Sequence, residues 1–422
     1  MKSKIFKFFI IIVLIMLIIA FNSSYKSLSL SNISIVVAMA IDTSDSNNMR
    51  VTFQFTKPTS TSDTGSNEES PSIINSVDAS SISSAINLMN AYIGKKLTLS
   101  HCKLIVFSEE FAQKGISDEV FTLMNDNQVR PSTNIVISKC TAKYYIENSK
   151  PIFDSLISKY YETYANSSQY TGYTTEATIG DFFNSLNCKS CEPYAILGGI
   201  NSGTSTSNSS SITNSNSNTI SEANTSSVPS EQDSNIKSNE SAITGHIKSE
   251  NIGLAVFKGD KIVGELTAIE NLAFLCTKNE IDGFLVSVPD PQDENKSIDV
   301  YLTPQKKSKI STKIVNGSPY VTIEYSFTGR IYSMFSNSDY LDDNMLTEIS
   351  NTCDAYLESV FSSFFYKTAK IFNSDIVGVG KSALSSFRTS SDFENYNWEE
   401  NYKNSFFDIT VNSNVKSGFL LM

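Results

Sequence analysis

Few residues of this chain have the type and spacing to do chemistry. Six cysteines and two histidines, His101 and His246, occur among 422 residues. Only Cys188 and Cys191 are closely spaced, in Cys188-Lys189-Ser190-Cys191. A zinc site built on that pair needs two further ligands, and Cys102, Cys140, Cys276, Cys353 and the histidines offer no second pair at metal spacing. Free or buried thiols, a disulfide, and a metal or redox pair are the three readings of Cys188 and Cys191, taken in that order. His101 precedes a predicted strand. As a proton switch or ligand it would stand alone, so a hydrogen-bonded structural histidine is the plainer reading. Arg130, beside Pro131, carries forked donors that suit a carboxylate of a ligand or partner, and an ion pair with a neighbouring acid is the simpler alternative.

Gly253, Gly259 and Gly264 fail the spacing of a phosphate-cradling loop, and the apolar residues between them alternate as strands do. The segment Asp375-Ile376-Val377-Gly378-Val379-Gly380 follows a long predicted helix instead of opening one. It reads as a glycine stop, without the helix N-terminal donors of an anion site. No pair of carboxylates stands out for acid-base work. The expectation is a protein with no catalytic, metal or cofactor site. A net charge of -11 gives no electrostatic footprint for nucleic acid and no polybasic membrane patch.

The elements that would carry these residues begin with an export signal. Lys2, Lys4 and Lys7 precede an uninterrupted apolar run over 8–21, in the order of a signal-peptide n-region and h-region. Ala20-Phe21-Asn22 is not a clean cleavage site, so residues 1–24 are a signal or a retained membrane anchor, and the body lies outside the cytoplasm. Strands are expected at 33–42 and 50–57 as a hairpin, with 58–81 a solvated loop. Apolar positions Ile82, Ala85, Ile86, Met89 and Ile93 share one helical face. A strand at 103–108, a helix at 116–125 and a strand at 134–140 follow. Helices are expected at 141–148, 152–164 and 179–186, and a short strand at 194–198. Over 201–241 about half the residues are Ser or Asn, too polar to offset the entropy of ordering, so a flexible insert is expected.

Order resumes with a hairpin of 252–257 and 262–266, then a helix over 267–276. Strands follow at 283–288, 297–302, 308–315 and 320–331, with Asn316-Gly317 turning between the last two. A long apolar stripe predicts a helix over 341–372, and 406–415 alternates as a last strand. The fold class is α+β: mixed α/β domains, each a sheet with packed helices, three in number. The expected divisions are 1–24, an N-terminal α/β domain at 30–148, a helix-rich middle at 149–200, the insert at 201–246 and a C-terminal α/β domain with the long helix at 247–418.

Four blocks in order resemble the C-subunit family of spore germination receptors, the Ger(x)C or GerAC-like lipoproteins. They are the strand ending in Ala40-Ile41-Asp42; the stretch from Leu97 through His101 and Lys103-Leu104-Ile105-Val106 to Gly115, continued by Arg130 and the strand at 134–140; the run from Gly253 through Phe257 and Gly264 to Leu266; and Asp375 to Gly380. The resemblance implies a non-catalytic subunit on the outer face of the spore inner membrane. It would work with two membrane-embedded partners, one transporter-like and one multi-pass, in a complex that senses small nutrient germinants. It makes His101, Arg130, Gly253, Phe257, Gly264, Asp375 and Gly380 candidate structural or partner-contact positions. One departure is clear: positions 20–25 read Ala, Phe, Asn, Ser, Ser, Tyr and the first cysteine is Cys102, so the family's lipidation cysteine is missing and a retained N-terminal helix is the natural substitute. The alternatives are a stand-alone extracytoplasmic solute-binding protein, which needs a cleft between two domains, and a cell-wall hydrolase, which needs a positioned carboxylate pair.

Overall fold

A computed structural model describes residues 2–22, 32–45, 48–56, 72–151, 156–201, 235–241, 243, 245–334 and 342–416. The chain opens with α1 (Lys2–Asn22), whose side chains are described over 6–17 and are exposed. Among the described residues no helix is long and apolar enough to cross a membrane.

The strands β1 (Ile33–Thr43) and β2 (Met49–Thr56) form the expected antiparallel hairpin. The expected loop at 58–81 is corrected in its second half, where β3 (Ser72–Ala79) pairs antiparallel with β2; residues 57–71 lie outside the described residues. This strand lacks apolar alternation because polar pairs hold its exposed edge. Thr52 and Ser76 share a hydroxyl hydrogen bond at 2.9 Å, and Arg50 grips both oxygens of Asp78 at 2.7 and 2.9 Å.

Next come α2 (Ile82–Ile93), β4 (Lys96–Thr98), β5 (Leu104–Ser108), α3 (Glu109–Lys114), α4 (Ser117–Met124), β6 (Asn134–Ser138), α5 (Ala142–Asn148), α6 (Ile157–Glu162), α7 (Ser168–Thr171), α8 (Ile179–Leu186) and β7 (Tyr194–Ile200). The starts of α2, α3, α5 and α8 are capped by Ser81, Ser108, Thr141 and Thr178, whose hydroxyls each accept a backbone N–H of the first turn. Every residue of β5, β6 and β7 is buried. Strands without a polar face must be covered on both sides, and these form the parallel centre of the sheet beside β1.

The chain then returns to the same sheet. Strand β8 (Ser249–Lys258) pairs antiparallel with β7, and β9 (Lys261–Leu266) pairs with β8. The nine-stranded sheet runs β3-β2-β1-β5-β6-β7-β8-β9, with β4 beside β1. The division expected at 247 therefore falls between two hydrogen-bonded strands. Of the insert expected at 201–246, residues 202–234 lie outside the described residues, whereas part of its end is packed. Ser238 is buried, donates to Leu197 O at 2.8 Å and accepts from Ile252 N at 2.7 Å.

Helix α9 (Ala268–Lys278) is buried over most of its circumference and lies between the large sheet and a second one. That second sheet is β10 (Phe284–Asp290), β11 (Asp293–Val315), β12 (Ser318–Met334) and β13 (Phe406–Lys416), in that order. The two strands expected at 297–302 and 308–315 are one, β11, interrupted by register shifts. Asn316 and Gly317, both at positive φ, make the tight turn into β12. Helix α10 (Asp343–Tyr366) buries Ile349, Cys353, Leu357, Phe361, Phe364 and Phe365. It also covers the edge of β13: Glu358, Asp354 and Ser350 accept the N–H groups of Val411, Ser413 and Val415 at 3.0, 2.7 and 3.0 Å. The α+β class, with two sheets and packed helices, is the one expected.

Glu265 on β9 binds Lys139, at the end of β6, and Lys237, on the segment returning from the insert, the latter at 3.1 Å. Burial pushes the Glu265 carboxyl up, but the two lysines outweigh it and hold the group below its ordinary 4.5. A carboxyl depressed in the folded state contributes stability above the unfolded value and loses it as pH falls through the folded one. The urea midpoint should therefore decline on acidification below pH 4.5, and Glu265→Gln should lower it at neutral pH while flattening that part of the decline.

Candidate functional site

Of the seven positions singled out in the sequence, four converge where the large sheet meets the C-terminal half, and a fifth, Gly253, lies elsewhere on the same sheet. Phe257, near the end of β8, is fully buried, stands edge-on to Phe182 and accepts the Ser374 hydroxyl on its carbonyl oxygen. Gly253 sits in β8 at φ +88°, and a Cβ there would come within 2.2 Å of Leu266 O. On β9, a Cβ at Gly264 would stand 2.1 Å from the ring of Phe372, the residue that ends the π-helical turn after α10. The missing side chain is what lets the end of the long helix seat on the sheet.

Asp375 is buried beneath this contact. Its Oδ1 accepts the N–H groups of Gly378 and Val379, both at 2.9 Å, and its Oδ2 accepts those of Gly380 at 2.7 Å and the Trp398 indole at 2.9 Å. The glycine-stop reading is corrected here: Gly380 begins a short helix, α11 (Gly380–Ala383). The segment does gather backbone donors, and Asp375 of the same loop occupies them. Burial pushes the Asp375 carboxyl up, and the four donors oppose that push. At Gly380 a Cβ would meet the indole nitrogen of Trp398 at 2.6 Å and Ser190 O at 2.9 Å.

Ser190 belongs to the loop that the sequence left open among three readings. Cys188 and Cys191 are joined in a disulfide. The closed loop lies against the Asp375 turn, with Cys191 Cβ 3.5 Å from the position of a Cβ on Gly378. Directly after it, Glu192 donates its N–H to Asp375 O at 2.9 Å. The Glu192 carboxylate accepts Gly259 N–H at 2.7 Å and pairs with Lys258 at 3.1 Å, while Lys258 also donates to Glu399 O at 2.8 Å. One clasp thus joins the disulfide loop, the β8–β9 turn, the 373–380 loop and the Trp398 segment. Sequence reasoning missed Glu192, Phe372 and Trp398; the only signal was that Trp398 is the single tryptophan of the chain.

His101 and Arg130 lie elsewhere. His101 is exposed in the turn between β4 and β5, not held by a hydrogen bond among the described residues. Arg130 is exposed before β6 and, against the expected ion pair, acts on Glu162 only at a distance.

Two hollows bear on ligand binding. A crevice of about 580 Å³ lies at the carboxyl ends of β1, β5 and β6, lined by Asp42, Asp45, Glu109, Glu110 and Lys139 among others. Open α/β sheets bind ligands at such a place, but the donors of the α5 N-terminus are taken by Asp42, which accepts Ala142 N–H at 2.7 Å and Lys143 N–H at 3.0 Å. Burial pushes the Asp42 carboxyl up. A shallow groove of about 900 Å³ runs between α2, α4 and α8, past Ile82, Ile86, Leu99, Phe121 and Phe183. Among the described residues no group of three or more His, Cys, Asp or Glu side chains is arranged to hold a metal ion.

The comparisons with known proteins give two consecutive family matches. The family described as "Spore germination protein N-terminal domain" matches residues 26–200, and that described as "Spore germination B3/ GerAC like, C-terminal" matches 252–418. The chain belongs to the GerAC-like family of germinant receptor C subunits. The crystal structure of the GerBC protein is similar at 16% identity and a TM-score of 0.49, covering 89% of this chain and 96% of that one. No curated protein sequence matches the chain. In this C subunit the family's N-terminal match ends on β7 and its C-terminal match starts within β8. The two matched regions are hydrogen-bonded to each other through that strand pair.

Asp375→Asn replaces acceptors with an amide that can face only part of the four donors, and leaving a buried N–H unsatisfied costs about 1–3 kcal/mol. The urea midpoint should fall accordingly, with Trp398 emission changing before the far-ultraviolet signal. Gly264→Ala forces a methyl into the Phe372 ring and should cost about 1–3 kcal/mol. Adding Phe372→Leu should recover part of that loss, and a double variant no better than the single one would show that the contact is not what limits the site.

Proposed function

We propose that this C subunit is a non-catalytic assembly and transmission element of a nutrient germinant receptor. It is held at the outer face of the spore inner membrane by α1 and works through two membrane-embedded subunits, one transporter-like and one multi-pass. The observation that carries this reading is the pair of family matches, in order, over residues 26–200 and 252–418. Three features of the chain support it. Lys2, Lys4 and Lys7 precede the apolar run over 8–21 in the order of an export signal or retained anchor. A Cys188–Cys191 disulfide suits an oxidising, extracytoplasmic setting. The clasp around Asp375 couples the two halves by packing and buried hydrogen bonds, as a transmission element requires.

A solute-binding protein closes two domains over a ligand held between them. In this chain the contact between the sheet and the C-terminal half is filled by Phe372 on Gly264 and Ser190 on Gly380, which favours the receptor-subunit reading. The seven positions singled out divide accordingly: Phe257, Gly264, Asp375 and Gly380 maintain the clasp, Gly253 lets β8 lie close to Leu266, and His101 and Arg130 are free for outside contacts. The test is affinity purification of the tagged protein from detergent-solubilised inner membrane of dormant spores. A transporter-like and a second multi-pass subunit should be recovered with it. Recovery without them, or only from the culture medium, would overturn the reading.

A further inference from the structure

The Cys188–Cys191 disulfide joins residues three apart in the chain. Closing so short a loop removes little freedom from the unfolded chain, because that restraint grows with loop length. Its effect is local: it sets the shape of the loop and hence what the loop touches. The loop is tethered at both ends. Cys188 N–H donates to Ser185 O at 3.1 Å near the end of α8, and Pro193 O accepts Phe257 N–H at 3.2 Å where β7 is about to begin. Between those ends the loop bears on the clasp. Ser190 O lies where a Cβ on Gly380 would meet it at 2.9 Å, and Cys191 Cβ stands 3.5 Å from the Cβ position of Gly378. Glu192 N–H donates to Asp375 O at 2.9 Å. Lys189 faces the same neighbours from outside, lining a hollow of about 170 Å³ with Phe393, Asn397 and Trp398.

Cys188 and Cys191 are partly exposed and Lys189 between them is exposed, so the loop stands at the surface, whereas Cys102, Cys276 and Cys353 are buried. Cys140 follows the carboxyl end of β6 and Cys191 precedes the amino end of β7. These strands are parallel, so the two cysteines lie at opposite ends of the sheet. The pair therefore has no competing thiol within the folded chain. Its reduction takes two exchanges. A thiolate of a dithiol attacks one sulfur, forms a mixed disulfide and releases the other cysteine, which takes a proton. The second thiolate of the dithiol then attacks the mixed bond and releases the first cysteine, which is protonated in turn. Two electrons and two protons pass to the protein, and the reductant leaves as a disulfide. Two thiol sulfurs cannot approach as closely as two bonded ones, so a loop held at both ends must widen. On the side of Gly378 and Gly380 it has no slack.

We propose that Cys188 and Cys191 are a site of reversible thiol–disulfide modification and act as a redox latch on the clasp. Oxidised, the pair holds loop 188–192 against the Asp375 turn. Reduced by a dithiol, it frees that turn and the Trp398 segment from the large sheet while both sheets stay folded. The two halves of the chain are thus tightly coupled in one state and loosely coupled in the other. The device acts on the clasp itself and does not depend on which subunits the chain meets.

The test is amide hydrogen exchange of the full-length protein before and after treatment with dithiothreitol, with differential alkylation and mass spectrometry reporting whether Cys188 and Cys191 are joined. Exchange at Gly378, Val379 and Gly380, whose N–H groups Asp375 holds, and over 398–404 should quicken several-fold on reduction, with Trp398 emission changing in step. Exchange in β5 and β6 should stay as it was, and reoxidation by glutathione disulfide should restore the slow rates. Protein carrying Cys188→Ser and Cys191→Ser should exchange at the fast rates with or without dithiothreitol, and the reduced parent protein supplies the same comparison without a substitution. A pair that dithiothreitol leaves joined in the folded protein, or a reduced protein whose turn still exchanges slowly, would overturn the inference. Acceleration spread equally through β5 and β6 would also overturn it, since it marks a cross-link that serves overall stability alone, as would fast exchange that reoxidation does not reverse.

Discussion

A buried carboxylate is the constraint around which the C-terminal half is arranged. Removing Asp375 from water is unfavourable unless its oxygens are fully satisfied, and satisfying them takes groups from distant parts of the chain. Three backbone N–H groups must turn inward over 378–380, and the indole of Trp398 must be brought up from 23 residues downstream. That turn brings Gly380 against Trp398 and Ser190, which in turn sets where the disulfide loop and Glu192 lie. Each contact removes an alternative for the next one, so the clasp specifies one arrangement of the two halves.

Much of the fold is legible in the sequence because apolar period and turn chemistry are local. The continuous apolar runs of β5, β6 and β7, the Asn316-Gly317 turn and the stripe of α10 could each be read without coordinates. What escaped was held by interactions that leave no periodic trace. Strand β3 is stabilised by Thr52–Ser76 and Arg50–Asp78 pairs across to β2, so its Ser and Asn residues resemble those of a loop. The packed end of the insert depends on Ser238, a residue indistinguishable from its neighbours until its partners Leu197 and Ile252 are known.

The site was legible as a set of positions and not as a geometry. Gly253, Phe257, Gly264, Asp375 and Gly380 stood in the blocks that resemble the family, yet their roles as ordinary hairpin and helix-end residues could not be separated from roles in a shared contact. The discriminating residues, Glu192, Phe372 and Trp398, lie outside those blocks. A glycine is silent about what it makes room for, and only the ring of Phe372 shows why Gly264 is one.

The outer edge of β13 limits how another protein can join this one. An open strand edge offers alternating donors and acceptors, and extended peptides bind such edges by extending the sheet. Here Glu358, Asp354 and Ser350 of α10 already consume the donors at Val411, Ser413 and Val415. A neighbouring chain approaching from that side meets a helix surface carrying carboxylates, so sheet continuation into a neighbour is closed off there. Recognition on that flank must proceed through side chains, which makes it selective for shape and charge rather than open to any extended segment.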